Sequence, residues 1–236
     1  MNEDAKKNIV AIIPARSGSK GIKSKNIIDF CGKPLLAWTI EQAKNTHAIS
    51  SVWVSSDGDE IIDISKQFGA RTIKRPANIS GDKASSESAW IHAIQEIKSI
   101  TGEIDYVIGM QATSPLRESD DLSNAIQAMI ENQYDSLLSV CRLDDFFIWD
   151  KNHGDPKPVN YNVNKRVPRQ DIDDSFLENG SFYIFKPQNI LENNNRIYGK
   201  IGFYEMEKYK MFQIDDQIDI KICESLMKSF GLADVK

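Results

Sequence analysis

The 236-residue chain has little of what would staple it, anchor it or draw it to nucleic acid. Its three cysteines, Cys31, Cys141 and Cys223, are odd in number, far apart and without a Cys-x-x-Cys pair, which argues against a disulfide framework and a cysteine zinc site. The three histidines, His47, His92 and His153, share no ligand spacing and read as surface or packing residues. No apolar run approaches the ~20 residues of a membrane span, and residues 9–13 are too short for a signal-peptide core, so a cytoplasmic protein with no membrane contact is expected. Basic residues do not predominate. The 29 Lys and Arg face 34 Asp and Glu, a net charge of −5, which argues against a broad nucleic-acid footprint. With 41% hydrophobic and 27% charged residues the chain is not a disordered one.

What is present is a repeated pattern. Short apolar runs at 9–13, 51–55, 106–110 and 137–141 alternate with helical spacings: Leu35, Leu36, Ile40 and Ala43 behind Pro34; Ile61, Ile64 and Phe68; Trp90, Ile94 and Ile97; and Leu122, Ala125, Ile126, Met129 and Ile130. Trp38 and Trp90 fall on these apolar faces and read as core. Such alternation predicts an α/β fold with a doubly wound, mostly parallel sheet covered on both faces. From about residue 143 the period is lost, and it returns at a strand over 181–185 and a last helix from about 217 to 230. The expected organisation is one α/β domain from 1–142 and 176–236, with an inserted lobe at 143–175.

The local charge is uneven. Residues 14–33 hold Arg16, Lys20, Lys23, Lys25 and Lys33 against Asp29 alone, so the rest of the chain is the more acidic. This stretch follows the first strand, where open α/β sheets bind ligands. Gly18 and Gly21 let backbone N–H groups approach a phosphate, Arg16 can grip it bidentately, and Lys20 and Lys25 act as point charges. It is neither a Walker loop nor a dinucleotide fingerprint, because Ile27 and Arg16 stand where those patterns need glycine. The competing reading is a solvated basic turn, which explains the charge but not its placement. A second loop after the 106–110 strand, Gln111-Ala-Thr-Ser-Pro-Leu-Arg117, offers neutral hydrogen-bonding groups in Gln111, Thr113 and Ser114, suited to hydroxyls or a carboxylate. The same Thr-Ser-Pro also makes an ordinary turn. Asp57 could orient a substrate or simply form an Asp-Gly turn.

Together the segments Ile13-Pro-Ala-Arg-Ser-Gly-Ser-Lys-Gly-Ile-Lys-Ser-Lys-Asn26, Gly32-Lys-Pro-Leu35, Ser55-Ser-Asp57, Lys74-Arg-Pro76, Gln111 to Arg117, Arg169-Gln170 and Asn179-Gly180 resemble the acylneuraminate cytidylyltransferases, or CMP-sialic acid synthetases, including their legionaminic and pseudaminic acid relatives. The resemblance implies a Rossmann-like nucleotidyltransferase fold that takes CTP and an acidic nine-carbon sugar to a CMP-sugar and pyrophosphate. It places Arg16, Ser19, Lys20, Lys25, Asn26, Arg75, Ala84, Ser85 and Ser86 on the nucleotide, with Lys20, Arg16 and Asp215 central to catalysis. Gln111, Thr113, Ser114, Arg169, Gln170, Asn179 and Tyr183 fall on the sugar. It also implies a homodimer joined through the inserted lobe, and Mg²⁺ or Mn²⁺ on Asp215. In Gln213-Ile-Asp-Asp216 the family's first metal-site acid is replaced by Gln213, so a helix cap remains the competing role for Asp215 and the better reading of Asp216. Two other readings stay open: a sugar-1-phosphate nucleotidyltransferase and a catalytically silent nucleotide-binding protein.

Overall fold

A computed structural model describes residues 7–18, 21–81, 84–143, 146–151, 154–165, 167 and 175–234. In chain order the elements are β1 (Ile9–Pro14), β2 (Asp29–Phe30), β3 (Lys33–Pro34), α1 (Leu35–Lys44), β4 (Ser51–Ser56), α2 (Asp59–Gln67), β5 (Arg71–Lys74), α3 (Ser86–Thr101), β6 (Tyr106–Met110), α4 (Ser119–Glu131), β7 (Ser136–Arg142), β8 (Trp149–Asp150), β9 (Lys157–Pro158), β10 (Phe176–Phe185), α5 (Pro187–Asn193), β11 (Ile201–Met206) and α6 (Gln217–Ser229). Seven strands form one sheet in the order β11-β7-β10-β6-β1-β4-β5. Every pairing in it is parallel except the two made by β10.

β1 shows why the sheet must be covered twice. Its alternate residues Ile9, Ala11 and Ile13 pack with Leu36 and Ile40 of α1 and Leu122, Ala125 and Met129 of α4. Val10 and Ile12 face the other way, onto Trp90, Ala93, Ile94 and Ile97 of α3. An apolar run with no polar face is the signature of such a strand. Under Trp90 the sheet has no room to spare, since a Cβ on Gly109 would lie 2.7 Å from two ring carbons. Gly109→Ala is therefore expected to cost about 1–3 kcal/mol of stability, read as a fall in the denaturation midpoint at unchanged m-value.

The expected doubly wound, mostly parallel architecture is what the chain adopts. Two details differ. β5 and β11 are additional strands, and β10 begins at Phe176 rather than residue 181. Asn179-Gly180 looks like a turn in sequence, but the strand runs through it with a register shift between Glu178 and Tyr183, and Gly180 takes the left-handed φ of +64°. Because β10 is antiparallel, this irregular start lies at the same sheet edge as the carboxyl ends of β1, β4, β5 and β6. Between β7 and β10, β8 and β9 form a two-stranded ribbon. Phe146, Ile148, Trp149 and Val159 there are 45–61% exposed. Among the described residues no helix is long and apolar enough to cross a membrane.

Candidate functional site

At the carboxyl edge of the sheet the first loop is tied down on both sides. Ala15 N–H donates to the Ser55 carbonyl at 3.0 Å. Ser17 donates twice to Asp57, from its backbone N–H at 2.9 Å and its hydroxyl at 2.6 Å. On the far side Ile22 is buried with Phe30, Leu35, Trp38 and Ile214. Asn26 is buried, and its amide donates to the Arg16 carbonyl at 2.9 Å. Gly21 backs directly onto the segment before α6, where an added Cβ would lie 2.5 Å from the Asp215 carbonyl oxygen. Lys25 closes the same seam with an ion pair to Asp215 at 2.8 Å.

These anchors leave a cleft of about 410 Å³, walled by Arg16, Gly21, Lys25 and Asn26 from the first loop, Arg75 after β5, Ile79 to Gly81 and Ala84 to Ser86, Gln111 to Thr113 after β6, and Asp215. Arg75 is 6% exposed and held by Ser80 at 3.2 Å and, at a longer 3.9 Å, by Asp57. Burial pulls the Arg75 guanidinium below its ordinary value; Asp57 opposes this by favouring the charged form, and the neighbouring charge of Arg16 lowers it further. Two guanidiniums that repel one another beside a cleft form a site that an anion relieves. α3 points its N-terminus at the same cleft, with Ser85 as N-cap accepting from Ser88 N–H at 3.1 Å.

Asp57 is thus a strut rather than a free turn residue. Burial raises its carboxyl, but the hydrogen bonds from Ser17 and the charge of Arg75 outweigh this, leaving it below the usual carboxylate range. A depressed acid stabilises the fold fully above its unfolded-state value, and that contribution drains away as pH falls through the folded-state value. Asp57→Asn should therefore cost about 1–2 kcal/mol at neutral pH, and the gap to the parent protein should close as pH falls below about 4. Paired denaturant titrations at pH 7 and pH 3.5 check this.

The sequence-predicted residues divide clearly. Arg16, Lys25, Asn26, Arg75, Ala84, Ser85, Ser86, Gln111, Thr113 and Asp215 all line the one cleft. Lys20, Ser19, Arg169 and Gln170 lie outside the described residues. Ser114 is buried beneath the loop, and its hydroxyl has no partner. Asn179 is 1% exposed; its amide N–H₂ donates to the Lys210 carbonyl at 3.1 Å, and its oxygen accepts from Ser139 at 2.6 Å, so it fastens β10 instead of facing the cleft. Tyr183 is buried against Trp90, its hydroxyl donates to Glu178, and Arg196 lies 4.1 Å above its ring. Burial, with the Glu178 carboxylate next, raises its phenol to about 12.

Asp216 is the N-cap of α6, accepting from Ile218 and Asp219 N–H at 2.7 and 3.1 Å, and Asp219 returns the bond to the Asp216 N–H. Asp215 takes no part in the cap through its carboxylate. Gln213 spends its amide N–H₂ on the Asn179 carbonyl, bracing the Gly180 irregularity. The sequence reading missed Ile79, Ser80 and Gly81 as cleft wall. Their Ile-Ser-Gly pattern carries no charge or motif that would single them out.

The whole span from residue 10 to 232 matches the family model described as cytidylyltransferase. The chain belongs to that family. Its curated relatives include N-acylneuraminate cytidylyltransferase A of Danio rerio, 36% identical over 228 residues, 95% of this chain and 52% of the relative. They also include the pseudaminic acid cytidylyltransferase of Campylobacter jejuni subsp. jejuni serotype O:23/36 (strain 81-176), 31% identical over 233 residues, 93% of this chain and 96% of the relative. The chain spans about half the length of the vertebrate relatives and nearly all of the Campylobacter one. Among solved structures, a CMP:2-keto-3-deoxy-manno-octonic acid synthetase complexed with CTP superposes with a TM-score of 0.73 at 17% identity, covering 95% of this chain and 100% of that one. A 4-diphosphocytidyl-2C-methyl-D-erythritol synthase gives 0.69 at 12%, over 94% and 99%. At those identities the two structures speak for the nucleotidyltransferase fold.

Proposed function

We propose that this family member transfers CMP from CTP to the anomeric hydroxyl of a nonulosonic acid, releasing pyrophosphate. The observation that carries this reading is the convergence of Arg16, Lys25, Arg75 and the α3 N-terminus on one cleft whose far wall is the uncharged Gln111–Thr113 loop. Both substrates are anions, so the chain's main task is to neutralise and align them. Arg16, Lys25 and, on the sequence resemblance, Lys20 would hold the triphosphate. Ala84, Ser85 and Ser86 would border the cytidine, and Gln111 and Thr113 would meet the sugar acid, with Arg169 and Gln170 in the same role by resemblance. The hydroxyl oxygen forms a bond to the α-phosphorus and gives up its proton to solvent, the bond from that phosphorus to the β-phosphate oxygen breaks, and pyrophosphate departs with the displaced negative charge.

The donor set fits Mg²⁺ or Mn²⁺ brought in with the nucleotide. Among the described residues no three metal-ligating side chains cluster, while Asp215 presents one carboxylate to the cleft. One carboxylate plus substrate phosphates is how Mg²⁺ is commonly held. When bound there, the ion would neutralise phosphate charge. Asp215→Asn is expected to raise the Mg²⁺ concentration for half-maximal turnover by about tenfold. Its thermal midpoint should stay near that of the parent, since Asp216 and Asp219 do the capping.

The exposed side chains of Phe146, Ile148, Trp149 and Val159, on and beside β8 and β9, support a homodimer joined through the inserted lobe. Sedimentation should give twice the chain mass. The assignment of reaction is tested by pyrophosphate release with CTP, UTP, GTP and dTTP, each offered with nonulosonic acids and with sugar 1-phosphates. CTP with a nonulosonic acid should be the productive pair. Turnover only with a sugar 1-phosphate, or CTP binding without turnover, would replace the reading by one of the two alternatives.

A further inference from the structure

Arg117 is 2% exposed and lies outside the cleft wall, yet its partners reach the backbone of Gln111 in that wall. Its Nη1 donates to the Ser181 carbonyl at 2.7 Å and to the Ser181 hydroxyl at 2.9 Å. Its Nη2 donates to the Thr39 hydroxyl at 3.1 Å. A guanidinium has only donors, so Thr39 must use a lone pair on it, and its single proton is left for another acceptor. That acceptor is the Gln111 carbonyl, 3.5 Å away. The second lone pair of the Ser181 carbonyl accepts the Gln111 backbone N–H at 3.2 Å.

The Gln111 N–H therefore rests on a carbonyl that Arg117 fixes, and the Gln111 carbonyl on the Thr39 hydroxyl that Arg117 fixes, together with the Ser114 N–H at 3.4 Å from within the loop. We propose that Arg117 is the positioning residue for Gln111, and so sets the acceptor side of the cleft without touching either substrate. The arrangement staples the loop to itself, since Arg117 closes the turn that Gln111 opens. Gln42 supports the middle through its amide, which donates to the Pro115 carbonyl at 2.8 Å. Nothing about packing alone requires an arginine here. Among the described residues no carboxylate lies within ion-pair distance of it, so a fully buried cation is retained against its desolvation cost. Burial lowers its pKa to about 9, with Asp121 favouring the charge, which leaves it protonated at neutral pH.

The proposal rests on the reading of Gln111 as an acceptor contact, so its test needs one arm that does not. In Arg117→Met, and more mildly in Thr39→Val, kcat/KM for the nonulosonic acid should fall by about 10–100-fold and about 3–10-fold respectively, because a displaced contact group loses alignment. The dissociation constant for CTP, measured by calorimetry, should stay within about threefold of the parent. The double variant should be no worse than Arg117→Met alone, since both remove one clamp. Independently of activity, the Gln111 amide should exchange its hydrogen about tenfold faster in Arg117→Met, while amides of β1 keep their protection. If the acceptor and CTP constants fall together in proportion to lost stability, or if the Gln111 amide keeps its protection, Arg117 is a core residue and the proposal fails. Faster Gln111 exchange in a protein that turns over no nonulosonic acid would leave the clamp standing and overturn the acceptor assignment instead.

Discussion

Arg16→Ala is expected to lower kcat by about 10²–10³-fold, because it removes a preorganised charge from the phosphate site. The backbone at this position is held by others: Asn26 takes the Arg16 carbonyl, and Asp57 takes the next residue's N–H. Removing the side chain also relieves Arg75, whose charged form Arg16 disfavours. Turnover should therefore collapse by far more than any accompanying change in stability explains. Near-normal kinetics would remove Arg16 from the phosphate site, and a fall in the midpoint parallel to activity would make it a structural residue.

Gly21→Ala should produce a different failure. The position needs glycine because of a close approach and not because of backbone angle. Its Cβ would lie 2.5 Å from the Asp215 carbonyl oxygen, and that oxygen belongs to backbone held by the Asp219 carboxylate through the Asp215 N–H at 2.8 Å. Neither side can yield by a rotamer change, so the first loop and the segment before α6 must part. The Lys25–Asp215 pair spans this seam and would be stretched with it. The expected result is a loss of about 1–3 kcal/mol in stability together with a drop of about 10–100-fold in CTP affinity. Gly18 supplies the contrast. A Cβ there meets nothing within 4 Å, so Gly18→Ala should fold like the parent, and any deficit it shows should appear in nucleotide binding alone.

These two residues also mark what the sequence made legible. A glycine-bearing basic segment between an apolar strand and a helix identifies its own place at a strand's carboxyl end, and the structure puts Arg16, Lys25 and Asn26 on one cleft. The parallel sheet was readable for the same reason: β1, β4 and β6 are apolar on both faces. Residues whose role depends on side-chain direction within an irregular strand were not. Asn179 and Tyr183 sit on either side of the Gly180 shift, which turns Asn179 into a buried five-way junction and Tyr183 onto Trp90. β5 escaped because four residues, Arg-Thr-Ile-Lys, carry too little pattern. β11 escaped because it is an edge strand with Ile201 and Phe203 about half exposed. Arg117 stood in plain view at the end of its motif, but only its partners on α1 and β10, distant in sequence, reveal its work.

The claim on which the rest depends is which phosphorus is attacked. Phosphorus NMR of one sample containing the protein, CTP, Mg²⁺ and a panel of nonulosonic acids reads this directly. The account predicts that the three CTP resonances give way to pyrophosphate and one phosphodiester signal in equal amounts, dependent on the acceptor. Persistence of CTP, or its conversion to CDP with a phosphorylated sugar or free phosphate, would contradict it.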